Sequence, residues 1–181
     1  TRQHLEQGRR TQARVMYGSY NTQKYMINNG YNIGKFSSFL SVNHDRTDGH
    51  RSNSDFHITN GFANLGYKFN DAYKMTGNVS LAKYRTVDPG TVTSPLLDHV
   101  MNIFRGTSSF GFENNHEKTS GALRFFYSWG HHKINDGYAP SGTPRKYLFM
   151  SDDHNTGVQL YQSFRLLPGN TITAGFDYKN W

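Results

Sequence analysis

The chain has 181 residues, of which 35% are hydrophobic, 15% aromatic and 18% charged, with 18 glycines, no cysteine and a formal net charge of +7. The lack of cysteine excludes a disulfide framework and a thiolate metal site, and no apolar run is long enough for a transmembrane helix. Few hydrophobic residues combined with many aromatics and glycines predict strands that are greasy on one face only, not a disordered chain.

In chain order, period-two alternation predicts nine strands. They cover residues 11–19, 23–29, 35–44, 56–69, 73–85, 103–113, 119–130, 156–166 and 171–179. The seventh is the clearest, with Leu123, Phe125, Tyr127 and Trp129 on one parity and Ala122, Arg124, Phe126 and Ser128 on the other. Short turns are expected near Asn29-Gly30, Asn70-Asp71, Asn114-Asn115 and Pro168-Gly169-Asn170, and long polar loops at 45–55, 86–102 and 131–153. Helical spacing arises only around Leu96-Leu97, Val100-Met101 and Phe104, where one or two amphipathic turns are expected. All five prolines fall in predicted turns or loops, where no ladder bond is lost.

Two architectures produce this alternation. A soluble sandwich would bury the apolar face under a second layer, whereas a wide barrel turns that face to lipid and the polar one to a wet lumen. Tyr67, Phe69, Tyr73, Phe110 and Phe112 fall beside the short turns, as a lipid-interface girdle would. Short turns on one rim and long loops on the other also favour the barrel. The expected fold is therefore all-β: an antiparallel up-and-down meander, a segment of a large transmembrane β-barrel. The twenty Lys and Arg are scattered apart from Arg9, Arg10 and Arg14, so no nucleic-acid partner is expected.

Certain motifs add to this pattern. Gly18-Ser19-Tyr20-Asn21-Thr22 precedes a strand. His44-Asp45-Arg46-Thr47-Asp48-Gly49-His50-Arg51-Ser52-Asn53-Ser54-Asp55-Phe56 follows, and then Asn64-Leu65-Gly66-Tyr67-Lys68-Phe69-Asn70. In order and spacing these stretches resemble the first barrel strands of TonB-dependent outer-membrane receptors. The resemblance implies a barrel wide enough to need an internal plug, and active uptake of a scarce nutrient driven through the TonB protein. It implies a bacterial outer-membrane location, with membrane lipid and lipopolysaccharide around the wall, TonB engaged through a plug domain absent from this chain, and a small-molecule or metal-chelate ligand. It also implies a fragment. Residues 1–10 are expected to link to the plug and 11–181 to form part of the barrel, since nine strands cannot close antiparallel. Thr1 in place of an initiator Met fits an excised chain.

On this reading the loops supply the substrate-facing candidates: Asp45, Asp48, His50 and Arg51 in the first, His99 in the second, and His131, His132, Asp152 and His154 in the third. Lys74, Arg105 and Arg124 are the candidates for groups facing the lumen. Imidazole with carboxylate suits zinc, copper or nickel, and the first loop's carboxylates suit calcium. However, no ligand spacing announces a site, and adjacent histidines point to opposite faces of an extended chain. Metal binding is thus left open and no cofactor is expected. No G-x-S-x-G elbow or phosphate loop is present, so no enzyme is expected. The alternative is a soluble β-sheet binding or adhesion module that recognises a glycan or a protein.

Overall fold

The computed structural model describes residues 7–144 and 148–181. They form one antiparallel sheet of nine strands in simple sequential order, open at β1 and β9. The strands are β1 (Gly8–Gly18), β2 (Thr22–Ile33), β3 (Phe36–Thr47), β4 (Phe56–Lys68), β5 (Tyr73–Val87), β6 (Leu97–Asn115), β7 (Thr119–Tyr138), β8 (Phe149–Phe164) and β9 (Ile172–Asn180). The described residues contain no helix, so the helical turns expected around 96–104 are strand from Leu97 onward instead. Those residues pair along β7, and ladder bonds outweigh a local helical spacing.

The expected turn at Asn29-Gly30 is also displaced. β2 runs through it, with Asn29 opposite Thr11 and Gly30 opposite Arg10, and Asn29 Nδ2 donates to Thr11 Oγ1 at 2.8 Å. The chain reverses instead at Gly34, whose φ of 61° suits a residue without Cβ. A further reversal lies at Ser19–Thr22, in the gap between the first two expected strands but not among the expected turns. There Tyr20 and Asn21 both adopt positive φ, and Thr22 N–H donates to Ser19 O at 3.1 Å. This is the geometry of a two-residue hairpin turn with primed handedness. The first strand begins at Gly8, so residues 8–10 of the expected link are sheet; residues 1–6 lie outside the described residues.

The long loops are shorter than expected because the strands continue into them. The first two reduce to residues 48–55 and 88–96, and the third is bounded by the end of β7 at Tyr138 and the start of β8 at Phe149. Asp45, His99, His131, His132, Asp152 and His154 consequently sit on strands, and only Asp48, His50 and Arg51 of the loop candidates sit on a loop.

The sheet is a single layer. Among the described residues the only buried hydrophobic side chains are Val87 and Ala122. One face carries rows of apolar partners. An example is Ile27–Val42–Gly61–Leu81–Gly106–Trp129; another is Leu65–Gly77–Phe110–Phe125–Val158. Leu40, Val42, Leu65, Phe110, Phe125, Leu160 and Phe176 on this face are each at least 45% exposed. Full burial of such a side chain contributes about 1.5–3 kcal/mol, of which these roughly half-exposed side chains gain only part within the sheet. The opposite face is polar, with Asn78 Nδ2 donating to Ser109 Oγ at 2.7 Å and Ser41 Oγ to Asn28 Oδ1 at 2.6 Å.

Two further features arrange the apolar face. Aromatic rings cluster along the short-turn rim: Tyr67 meets Phe69 at 5.0 Å, Phe69 meets Phe112 at 6.3 Å, and Tyr73 stacks on Phe112 at 5.6 Å. The strands are also staggered. The row through Ile33 and Phe36, at the turn end of β2 and β3, continues through Tyr67, Met75, Phe112 and Leu123 to Leu160, four residues short of the end of β8 at Phe164. Progressive stagger is what strand tilt in a cylinder requires.

Candidate functional site

The loop end of the polar face gathers the chemistry. Register places Arg105 on β6 opposite Gly130 on β7, and Gly130 opposite Asp153 on β8. Because Gly130 has no side chain, the Arg105 guanidinium reaches across β7 and donates to Asp153 Oδ1 at 2.8 Å. His132 lies two residues further along β7, on the same face. Its Nε2 stands 3.0 Å from Arg105 Nη1 and 3.7 Å from Asp153 Oδ2. A guanidinium only donates, so Nε2 accepts and the ring proton sits on Nδ1. The shorter contact thus governs, and the Asp153 approach is proximity rather than an ion pair. Arg105 remains half exposed, with spare N–H donors for an incoming carboxylate or phosphate.

The other polar-face candidates do not join this cluster. Lys74 lies at the short-turn rim, opposite Lys68 and Glu113, and Arg124 lies nearer that rim, opposite Gly111 and Gln159. Both share the face of Arg105, as the parity predicts. Asp45 also faces this side and pairs with Lys24 at 3.7 Å.

The third-loop candidates divide by face. His131, Asp152 and His154 turn to the apolar side, opposite to His132, since neighbouring strand residues alternate. There His131 Nδ1 and Asp152 Oδ1 are 2.6 Å apart, and His154 lies beside Tyr127 with ring centroids 6.5 Å apart. Among the described residues no three His, Cys, Asp or Glu converge as metal ligands.

The loops above the polar face are built on internal bonds. Asp48 accepts from Asn21 Nδ2 at 2.9 Å and from Arg46 Nη2 at 2.9 Å, tying the first loop to the β1–β2 turn. His50 sets its ring edge-on to Tyr20 at 6.3 Å. Arg51 Nη1 donates to Gly90 O at 2.9 Å, which clasps the first loop to the second. Gly90 N–H donates to Asp88 Oδ1 at 2.9 Å, and Leu96 N–H to Pro89 O at 2.8 Å. His99 Nδ1 stands 3.5 Å from Asp88 Oδ2 but makes no hydrogen bond, so this contact is a weak one.

Two predictions follow from these contacts. Arg51→Ala is expected to release the two loops from each other. A spin label on Ser52 would become more mobile, while the unfolding midpoint moves little, because loop opening costs far less than global unfolding. The bonds from Asn21 and then Arg46 hold the Asp48 carboxyl below its ordinary value. Its stabilising contribution is therefore fully present above the ordinary aspartate value and lost as pH falls through the lower folded one. The same label is expected to loosen in strongly acidic buffer, and Asp48→Asn is expected to abolish that pH dependence.

Sequence reading assigned no site role to Asp153, Gly130, Tyr20 or Asn21. The signal for the first two was parity: Arg105, Gly130 and Asp153 fall on the polar side of their strands, and a glycine between two charges marks a gap they can bridge. No family model matches the chain, and no curated protein matches it in sequence.

Proposed function

We propose that this chain forms part of the wall and extracellular mouth of an outer-membrane β-barrel receptor that takes up a scarce nutrient. The observation that carries the reading is the single-layer, staggered sheet, with an aromatic-rimmed apolar face left uncovered and a polar face behind it. A bilayer is the neighbour that such a face fits. The motif resemblance to TonB-dependent receptors narrows the class to active uptake, with the plug and TonB contact belonging to sequence outside these residues. Arg105, with its spare donors beside His132, suits an anionic group on the cargo, such as the carboxylates of a metal chelate or the phosphate of a cobalamin. The clasped loops at 48–55 and 88–96 form the entrance.

These 181 residues contain no cysteine, and any elsewhere in the complete protein is first replaced by serine. Single cysteines at Phe110, Phe125, Ser109 and Arg124 in the complete membrane-inserted protein would carry nitroxide labels. Labels at Phe110 and Phe125 are expected to collide with oxygen dissolved in lipid, and those at Ser109 and Arg124 with a water-soluble nickel chelate. Uniform water accessibility at all four would overturn the proposal and favour a soluble binding module.

A further inference from the structure

We infer that the outer side of β4–β7, just above the apolar band, binds a phosphate-bearing lipid headgroup. The inference rests on the proposed lipid-facing orientation of the sheet.

Its basis is an abrupt change of chemistry between neighbouring rows on one face. The row Gly61–Leu81–Gly106–Trp129 is apolar. The next row towards the loops is Lys83–Phe104–His131, and the one beyond is His57–Arg85–Asn102–Lys133. Side chains two residues apart on a strand share a face, so these groups crown the apolar band rather than lining the polar side. A concavity of about 310 Å³ opens among them. Lys83, Arg85 and Lys133 contribute cations, His57 and His131 contribute imidazoles, and Phe104 provides an apolar wall.

No carboxylate lines this concavity. From its edges, Asp55 pairs with Arg85 and Asp152 bonds to His131. Arg46 and His44 extend the basic side along β3, and Arg46 is engaged by Asp48. Lys83 and Lys133 are exposed and, among the described residues, have no ion pair. They stand two strands apart in neighbouring rows, with Phe104 and Asn102 on β6 between them, and both line the concavity, where a bound phosphate would meet two ammonium groups. An isolated cation pair at this depth lies where headgroups begin, directly over hydrocarbon-facing Leu81 and Trp129. Charge complementarity there selects an anion carried by the lipid itself. Trp129, stacked on Tyr127 at 5.4 Å, marks the same interface.

The test uses the complete receptor in phosphatidylcholine nanodiscs, with and without a minor fraction of lipid A, a bis-phosphorylated glycolipid. Native mass spectrometry reads the lipid A retained. The unmodified receptor is expected to keep it. K83Q/R85Q/K133Q is expected to bind on the order of a hundred-fold more weakly, from roughly a factor of five per Lys or Arg near a charged headgroup. K83Q/K133Q leaves the Arg85–Asp55 pair intact, guarding against a folding defect, and is expected to show most of that loss. K68Q/K118Q, at the opposite rim, is expected to bind as the unmodified protein does. Equal retention by all variants would overturn the inference, as would displacement of lipid A by millimolar inorganic phosphate, which would indicate a free-anion site. A nitroxide at Phe110 in the same nanodiscs separates the two levels. If it reports lipid while lipid A binding is indifferent to these lysines, the headgroup site fails and the barrel reading stands. If it reports water, the barrel reading fails and takes this inference with it.

Discussion

Phe110→Arg is expected to destabilise the membrane-inserted protein by about 1–3 kcal/mol, between the cost of an Arg near the interface and at the bilayer midplane on a barrel's lipid face, since Phe110 stands one row in from the aromatic rim. Ser109→Arg, one residue away, is expected to change stability by less than about 0.5 kcal/mol, as a surface substitution does. The contrast follows from the pleat. Phe110 stands in the apolar row with Leu65, Gly77 and Phe125, 46% exposed and uncovered by protein. Ser109 points the other way, bonded to Asn78. If the apolar face met water, the sign would reverse: replacing an exposed Phe by Arg would be neutral or favourable. Urea unfolding of the complete protein in vesicles, followed for both variants, distinguishes these cases. Equal effects at the two positions would mean that the apolar face does not contact hydrocarbon.

A second large effect is expected at Gly106. It lies opposite Trp129, and the indole lies where a Cβ on residue 106 would stand. Gly106→Val therefore forces the ring off its seat and away from Tyr127, with an expected cost of about 1–3 kcal/mol from overpacking. Gly77 makes a direct comparison. It occupies the same face, but a Cβ there would meet nothing within 4 Å. Gly77→Ala is expected to stabilise by about 0.5 kcal/mol, because an open strand position loses the entropic cost of glycine. Unfolding measurements separate the two. Trp129 emission, recorded with Trp181 and any tryptophan outside these residues replaced by Phe, should shift in Gly106→Val alone. No shift there would show that the indole does not rest on the glycine.

Strand identity and facing were legible because side-chain direction alternates along any extended chain, whatever its neighbours do. Leu123, Phe125, Tyr127 and Trp129 could therefore be assigned to one face, and Arg105, Arg124 and Lys74 to the other, before any partner was known. Loop lengths were not legible. Polar residues such as His99, His131 and Asp152 are compatible with either a loop or a strand, and only pairing across β6, β7 and β8 decides between them. The break at Tyr20-Asn21 was legible as a gap between strands, but its geometry was not: neither residue announces positive φ in the way that glycine does, yet the β1–β2 ladder and the bond from Asn21 to Asp48 hold both there. Conversely, Asn29-Gly30 is a strong local turn signal that a continuous ladder with β1 overrides.

By itself, then, the sequence determined an all-β meander with one oily and one wet side, since period-two patterning is a local property of the chain. Tertiary structure alone decided which charges meet. The approach of Arg105 to His132 and Asp153, and the basic crown of Lys83, Arg85 and Lys133, depend on strand register. Register is a non-local quantity: a slip of one residue would send every one of those side chains to the opposite face.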